Sequence, residues 1–222
     1  MPELRLEFHE KLGVVEGKVI QLFALVAEGL AAATDALLNG DQEVHRVLAE
    51  REQLVNSLYS DTEALVVKLL ALQGPAAGEL RFLLSVLRAV PELERSHDLV
   101  EHIARRAGSR LQDALTPRAR GLVQRMGSTG SAMWRSAADS WYERDPARAL
   151  AVAEEDDEMD ELHAALTAEL ASGRIPLPVA MDMALVARFY ERLGDHAANI
   201  AHRVLYLAGE SDADPVVPEA GV

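Results

Sequence analysis

Glu191 and Asp195 are carboxylates four residues apart, and Glu94 and Asp98 form a second such pair ninety-seven residues earlier. Successive helical residues turn by about 100°, so side chains at i and i+4 project the same way from adjacent turns. Two carboxylates so placed can hold a cation, or can serve only as a solvated face. With 36 acids in 222 residues, about six such pairs arise by chance in a helical chain of this composition, so one pair alone decides nothing. The repeat decides more. Glu94, Arg95, Asp98, Ile103, Ala104 and Arg106 recur as Glu191, Arg192, Asp195, Ile200, Ala201 and Arg203. The apolar positions Phe82, Val86, Ala89, Leu93, Val100 and Ile103 shift in step onto Val179, Met183, Val186, Tyr190, Ala197 and Ile200. Self-similarity of this length points to two similar structural units, each with its own acidic pair.

A third pair, Asp156 and Asp160, lies in the run EEDDEMDELH; one hundred and four residues earlier stand Glu52 and Asn56. If the helices carrying these residues are neighbours, Asp156 and Asp160 can face Glu191 and Asp195, and Glu52 can face Glu94 and Asp98. Four convergent carboxylates repel one another unless a cation lies among them, and hard oxygen donors select Mg²⁺, Ca²⁺, Mn²⁺ or iron, less readily zinc. Glu101, one turn beyond Asp98, and His202, on the side of Asp195, can extend the two patches. Glu94-x-x-His97 has the spacing of a di-iron half-site, but its counterpart reads Glu191-x-x-Gly194, which weakens an oxidase reading. No nucleophile elbow, phosphate-binding loop or Ser-His-Asp order is present, and no catalytic residue is assigned. Arg95 and Arg192 read as ion-pairing residues beside the acids. Arg105, Arg106 and Arg110 read as a basic helix end facing the macrodipole.

Six helical segments must position these groups. The first runs from about residue 3 to Leu38, with Leu12, Val15, Val19, Leu22, Val26, Leu30 and Leu37 at helical spacing. Asn39-Gly40-Asp41 stops it and caps a second, which ends at Gln73-Gly74-Pro75. The third spans about 77 to 107 and contains Pro91, which predicts a kink or break near residues 87 to 91. A fourth, from about Arg118 to Glu143, is small-residue-rich at 127 to 132 and carries Trp134 and Trp141 as core or interface residues. Asp145 and Pro146 cap and open the fifth, Ser172 to Pro176 break it, and the sixth closes at Gly209. The sixth carries the stripe Val179, Met183, Val186, Tyr190, Leu193, Ala197, Ile200, Val204 and Leu207. The expectation is an all-α chain of two tandem three-helix bundles, 1–110 and 111–209, followed by a disordered acidic tail, 210–222.

Composition agrees. Half the residues are apolar and few are aromatic, a helix-forming mixture. Without cysteine there are no disulfides or thiolate metal sites. A net charge of −14 works against nucleic-acid backbones and anionic lipid. The N-terminus has no secretory apolar region and no long uncharged apolar run occurs, so a cytoplasmic protein without membrane insertion is expected.

FHEKL at 8–12, LLALQGP-x-x-x-ELR at 69–81, LERSHDLVEHIA at 93–104, EEDDEMDELH at 154–163 and FYERLGDHAANIAHRVLYL at 189–207 resemble, in order, the PhoU family of phosphate-uptake regulators. The similarity extends to about Gly209. It implies two tandem three-helix bundles whose E/D-x-x-x-D motifs hold multinuclear metal clusters of iron or zinc. On that pattern Glu94, Asp98, Asp156, Asp160, Glu191 and Asp195 are metal ligands, with Glu52 a weaker match. The first half departs from the pattern at Asn56, where aspartate is usual, and at His97, where glycine is usual. The resemblance further implies a non-catalytic adaptor between the ATPase subunit of a phosphate-specific ABC transporter and a sensor histidine kinase, keeping phosphate-starvation genes off. The long exposed faces suit protein partners, a homodimer among them. Two other readings stay open: a ferritin-like carboxylate-bridged oxidoreductase, which needs the acids buried among four helices, and a metal-free interaction bundle in which they only solubilise.

Overall fold

Each helix begins and ends where local chemistry directs. The computed structural model describes residues 2–72, 74–109 and 111–209. Among these are six α-helices: α1 (Pro2–Asn39), α2 (Glu43–Leu72), α3 (Ala77–Arg105), α4 (Pro117–Glu143), α5 (Pro146–Ala171) and α6 (Leu177–Ala208), with no strand. Gly40, at φ 74°, turns the chain out of α1, and the Asp41 carboxylate accepts the Glu43 N–H at 2.9 Å to start α2. Thr116 caps α4 by accepting from Ala119 N–H, and Asp145 caps α5 by accepting from Ala147 and Arg148 N–H, each helix opening on a proline. Gly209, at φ 80°, closes α6. The tail 210–222 and Arg110 lie outside the described residues.

α3 corrects one expectation. It runs through Pro91 without a break and gives way only after Arg105, to two short 3-10 turns at 106–109 and 111–114. The proline costs one backbone hydrogen bond, but its neighbours Ala89, Val90 and Leu93 are all buried. Packing on both sides of α3 outweighs the lost bond.

The fold is all-α, with two three-helix units. α1, α2 and α3 pack together, as do α4, α5 and α6, and the units meet through α1 on α4 and α3 on α6. α1, α3, α4 and α6 therefore form an inner ring of four helices. α2 leans on α1 and α3, and α5 on α4 and α6. One apolar core runs through both units. Trp134 and Trp141 are fully buried in it, each about 6 Å from the Phe23 ring of α1, and Trp141 lies 6.4 Å from Phe82 of α3. α1 is apolar and long enough to cross a bilayer by length and composition, yet 56% of its most apolar window is buried against other helices, as in a core helix.

The units approach each other tightly between α1 and α4. A Cβ on Gly127 would collide with the Thr34 side chain, and one on Gly130 would lie 3.0 Å from Leu30. Thr34 is held there, donating to the Leu30 carbonyl at 2.8 Å and sharing a hydrogen bond of 2.8 Å with the buried Tyr190 hydroxyl of α6. Gly127→Ala is expected to destabilise the fold by about 1–3 kcal/mol through overpacking, measured by urea unfolding; an unchanged midpoint would show that the two helices separate easily.

Candidate metal centre

α5 packs its stripe Val152, Met159, Leu162, Leu166 and Leu170 inward, and Asp156 occupies a position of that same stripe, between Val152 and Met159. A carboxylate there is drawn out of water by the packing of its own helix. Space for it comes from α6: a Cβ on Gly194 would stand 2.7 Å from Asp156 Oδ1 and 3.2 Å from Met159 Cγ. Glycine at 194 thus opens the notch that the Asp156 carboxylate enters. Glu191, on the adjacent turn of α6, is 9% exposed, Asp195 is half-buried and Asp160 is exposed.

The four acids act on one another. Burial, then the charges of Asp195, Asp160 and Glu191, push Asp156 up to about 7. Burial raises Glu191, with Asp195 adding to it and Arg188 opposing. Burial also raises Asp195 against the pull of Arg188, with Asp160 adding to the rise. Arg188 donates to Glu191 Oε1, but Glu191 Oε2 is buried without a partner. Among the described residues no three Asp, Glu or His side chains converge closely enough to ligate one ion as they stand. Their type and setting nonetheless fit a hard cation. An orphaned carboxylate oxygen, a half-buried aspartate in a glycine notch and mutual repulsion are all relieved by positive charge.

The acids sit at the edge between two helices, α5 and α6, with Asp160 open to solvent. This differs from the four-helix enclosure that a ferritin-like oxidoreductase requires. A histidine not singled out from sequence joins them: His163, on α5, pulls on Asp195. Its signal was the spacing Asp156, Asp160, His163, which follows one helix face. His202 is exposed and is not among the groups that shift Asp195.

The first half is built differently. Glu94 is half-buried and raised by burial, then by Asp98, with a smaller contribution from Glu52. Asp98 and Glu52 are exposed, as is Asn56. Glu101 is 8% exposed and already paired, to Arg105 at 2.7 Å and His45 at 3.4 Å. Burial alone would raise its carboxyl, but the hydrogen bond and charge of Arg105, then His45, hold it below the ordinary glutamate value. His97, in the place of Gly194, is 1% exposed, and neither ring nitrogen has a hydrogen-bond partner. Burial depresses it toward the neutral form, opposed by Asp98, Glu101 and Glu52. A buried imidazole thus stands at the repeat position where the second half has the glycine that admits a carboxylate.

Comparisons with known proteins place these features. A family model described as "PhoU domain" matches residues 19–107 and 123–204, one segment in each half. The chain belongs to the PhoU family. The phosphate-specific transport system accessory protein PhoU homolog 2 of Mycobacterium tuberculosis is 32% identical over 208 residues, covering 92% of this chain and 98% of the relative. The PhoU homolog of Pseudomonas aeruginosa is 30% identical, over 93% of this chain and 87% of its own. Among solved structures, PhoU from Pseudomonas aeruginosa superposes with a TM-score of 0.85 at 29% identity, covering 92% of this chain and all of that one. The phosphate transport system regulatory protein PhoU from Streptococcus pneumoniae gives 0.84 at 25% identity, over 94% of this chain and all of that one. Family resemblance, fold and the duplicated acidic segments therefore agree.

Asp156 supplies a test of the site's electrostatics. Its folded value lies above its unfolded one, so the native state binds the proton more tightly. Stability from this group falls as pH rises from about 4 to about 7. In chelator-treated protein, Asp156→Asn should raise Tm at pH 8 by about 2–4 °C and flatten the decline between pH 5 and 8. A lower Tm at pH 8, followed by differential scanning calorimetry, would mean the carboxylate stabilises the metal-free fold.

Proposed function

We propose that this protein regulates phosphate uptake as a non-catalytic, metal-binding adaptor. The single observation that carries the reading is the match, over nearly the whole chain, to proteins named as accessory to the phosphate-specific transport system. In this reading it contacts the ATPase subunit of a phosphate-specific ABC transporter and a sensor histidine kinase in the cytoplasm. It represses the starvation response while phosphate is plentiful. The long outer faces of α2 and α5 suit such protein contacts, and a homodimer can use them too.

Asp156, Asp160, Glu191 and Asp195 would hold the metal of the second half, with His163 beside them. Glu94, Asp98 and Glu52 would hold that of the first, where His97 adds a nitrogen donor and Glu101 is engaged elsewhere. Iron, zinc, manganese, magnesium and calcium are the candidates, and oxygen donors in the second half favour the harder ions. A bound cation would neutralise the raised carboxylates and draw α5 onto α6, making the shape of that face depend on metal. This role needs no substrate-sized cavity at the acids.

Two measurements test the reading. Titration of chelator-treated protein with Mn²⁺, Fe²⁺ or Zn²⁺ should raise Tm in the wild type and raise it clearly less in Glu191→Ala/Asp195→Ala, which keeps only the first-half site. Equal shifts in both would favour the metal-free bundle. Deleting the gene should derepress phosphate uptake in phosphate-rich medium, and wild-type repression in the deletant would count against the regulatory assignment.

A further inference from the structure

On the seam between α3 and α6, where the two halves meet, lies an open cavity of about 620 Å³. Arg95, His102, Arg105, Arg106 and Arg192 line it, with Phe189 in its wall, and the carboxylates of Asp98 and Asp182 also reach it. Four guanidiniums and two carboxylates line it, in a chain whose net charge is −14, and Asp182 exerts its charge on Arg106. The macrodipole at the end of α3 accounts for Arg105 and Arg106. It does not account for Arg95 and Arg192, which lie well inside their helices and are equivalent positions of the internal repeat.

The repeat shows what is unusual here. Glu92 stands ninety-seven positions before Phe189, and Arg203 ninety-seven after Arg106. On the other side of the pseudo-two-fold, Glu92 sits 3.5 Å from His196 and exerts its charge on the buried Arg203. On the cavity side a phenyl ring replaces that carboxylate. The Arg106 guanidinium lies over the Phe189 ring at 4.9 Å, and the His102 ring stacks on it at 5.5 Å. The ring positions both groups without neutralising either. Arg106 gives one N–H to the His102 carbonyl at 2.8 Å, and its buried Nε has no acceptor. Arg95 and Arg105 have partners on their own helix, Glu92 at 3.3 Å and Glu101 at 2.7 Å. Arg192 makes no hydrogen bond or ion pair with any described residue.

We infer that this seam cavity binds a small phosphorylated anion of at least two negative charges, held chiefly by Arg106 of the first half and Arg192 of the second. Guanidiniums grip phosphoryl oxygens two at a time, through a planar fork of donors. Two guanidiniums without an ion-pair partner on their own helix, one from each half, suit an anion with several oxygens on one centre better than a monocarboxylate. The volume exceeds one phosphoryl group and admits a di- or triphosphate. Inorganic phosphate, pyrophosphate and ATP share this chemistry, and a ligand there would bridge the two halves.

The test is isothermal titration of the full chain, stripped of metal with chelator, against each of the three in turn. At least one should bind with micromolar to submillimolar affinity. Arg106→Gln/Arg192→Gln should weaken it by about tenfold or more, while Arg125→Gln, which pairs with Glu158 away from the cavity, should stay within about twofold. Phe189→Glu, which copies the other half, should abolish binding by neutralising Arg106, and provides the reading if the double variant is misfolded by circular dichroism. No binding of any of the three at millimolar concentration, or wild-type affinity in a folded double variant, overturns the assignment. So does binding that appears only on adding Mn²⁺ and survives the double variant, since the anion would then be riding on metal at the acids. Because the titration is metal-free, its failure leaves the metal-binding reading intact, and failure of metal binding leaves this one intact.

Discussion

Met159 is wedged between two glycines, and the acidic centre depends on that fit. A Cβ on Gly130 of α4 would lie 3.3 Å from Met159 Cε, and one on Gly194 of α6 would lie 3.2 Å from its Cγ. With no side chain on either wall, the outer helix seats deeply between the two inner ones, and dispersion contacts fix its register. Asp156 is three residues earlier on the same stripe, so whatever fixes Met159 fixes Asp156 against Gly194. The cost falls on the carboxylate, which the packing pulls partly out of water beside three others. Local rules of burial are broken where function is expected, and the apolar seam holds the breach in place.

The two halves answer that constraint in different ways. In the second, glycine leaves the notch open and a carboxylate enters it. In the first, a buried imidazole, His97, stands in place of that glycine, while Glu52 lies exposed and Asn56 carries no charge. The α3–α6 seam shows the reverse asymmetry. There the first half supplies Glu92, which helps compensate a buried arginine, and the second supplies Phe189, which leaves the half-buried Arg106 to the charge of Asp182. A duplicated scaffold has thus kept its backbone and exchanged single residues that set charge and access.

Much of this was legible in the sequence because it rests on local chemistry and period. The six helices, their caps at Asp41, Asp145 and Gly209, and the neighbourhood of Asp156, Asp160, Glu191 and Asp195 all follow from spacing and from the repeat. The break offered at Pro91 does not occur, because propensity knows nothing of the buried neighbours that carry α3 through it. The inner ring of four helices was not legible, since periodicity shows which face is apolar and not which partner covers it. Arg95 and Arg192 read as ion-pairing residues beside the acids for the same reason. Only the antiparallel crossing of α3 and α6 brings them to one cavity. Glu101 looked like an extension of the metal patch, but the structure gives it to Arg105 and His45.

The two indoles have a consequence of their own. Both belong to α4, and both rest against rings from the opposite half, so the chain's tryptophan fluorescence originates in the joint between its halves. Loosening of the peripheral helices would leave that emission nearly untouched, whereas parting of the halves would wet both chromophores together and shift it to the red. The molecule carries a built-in optical gauge that separates breathing at its flanks from opening at its waist.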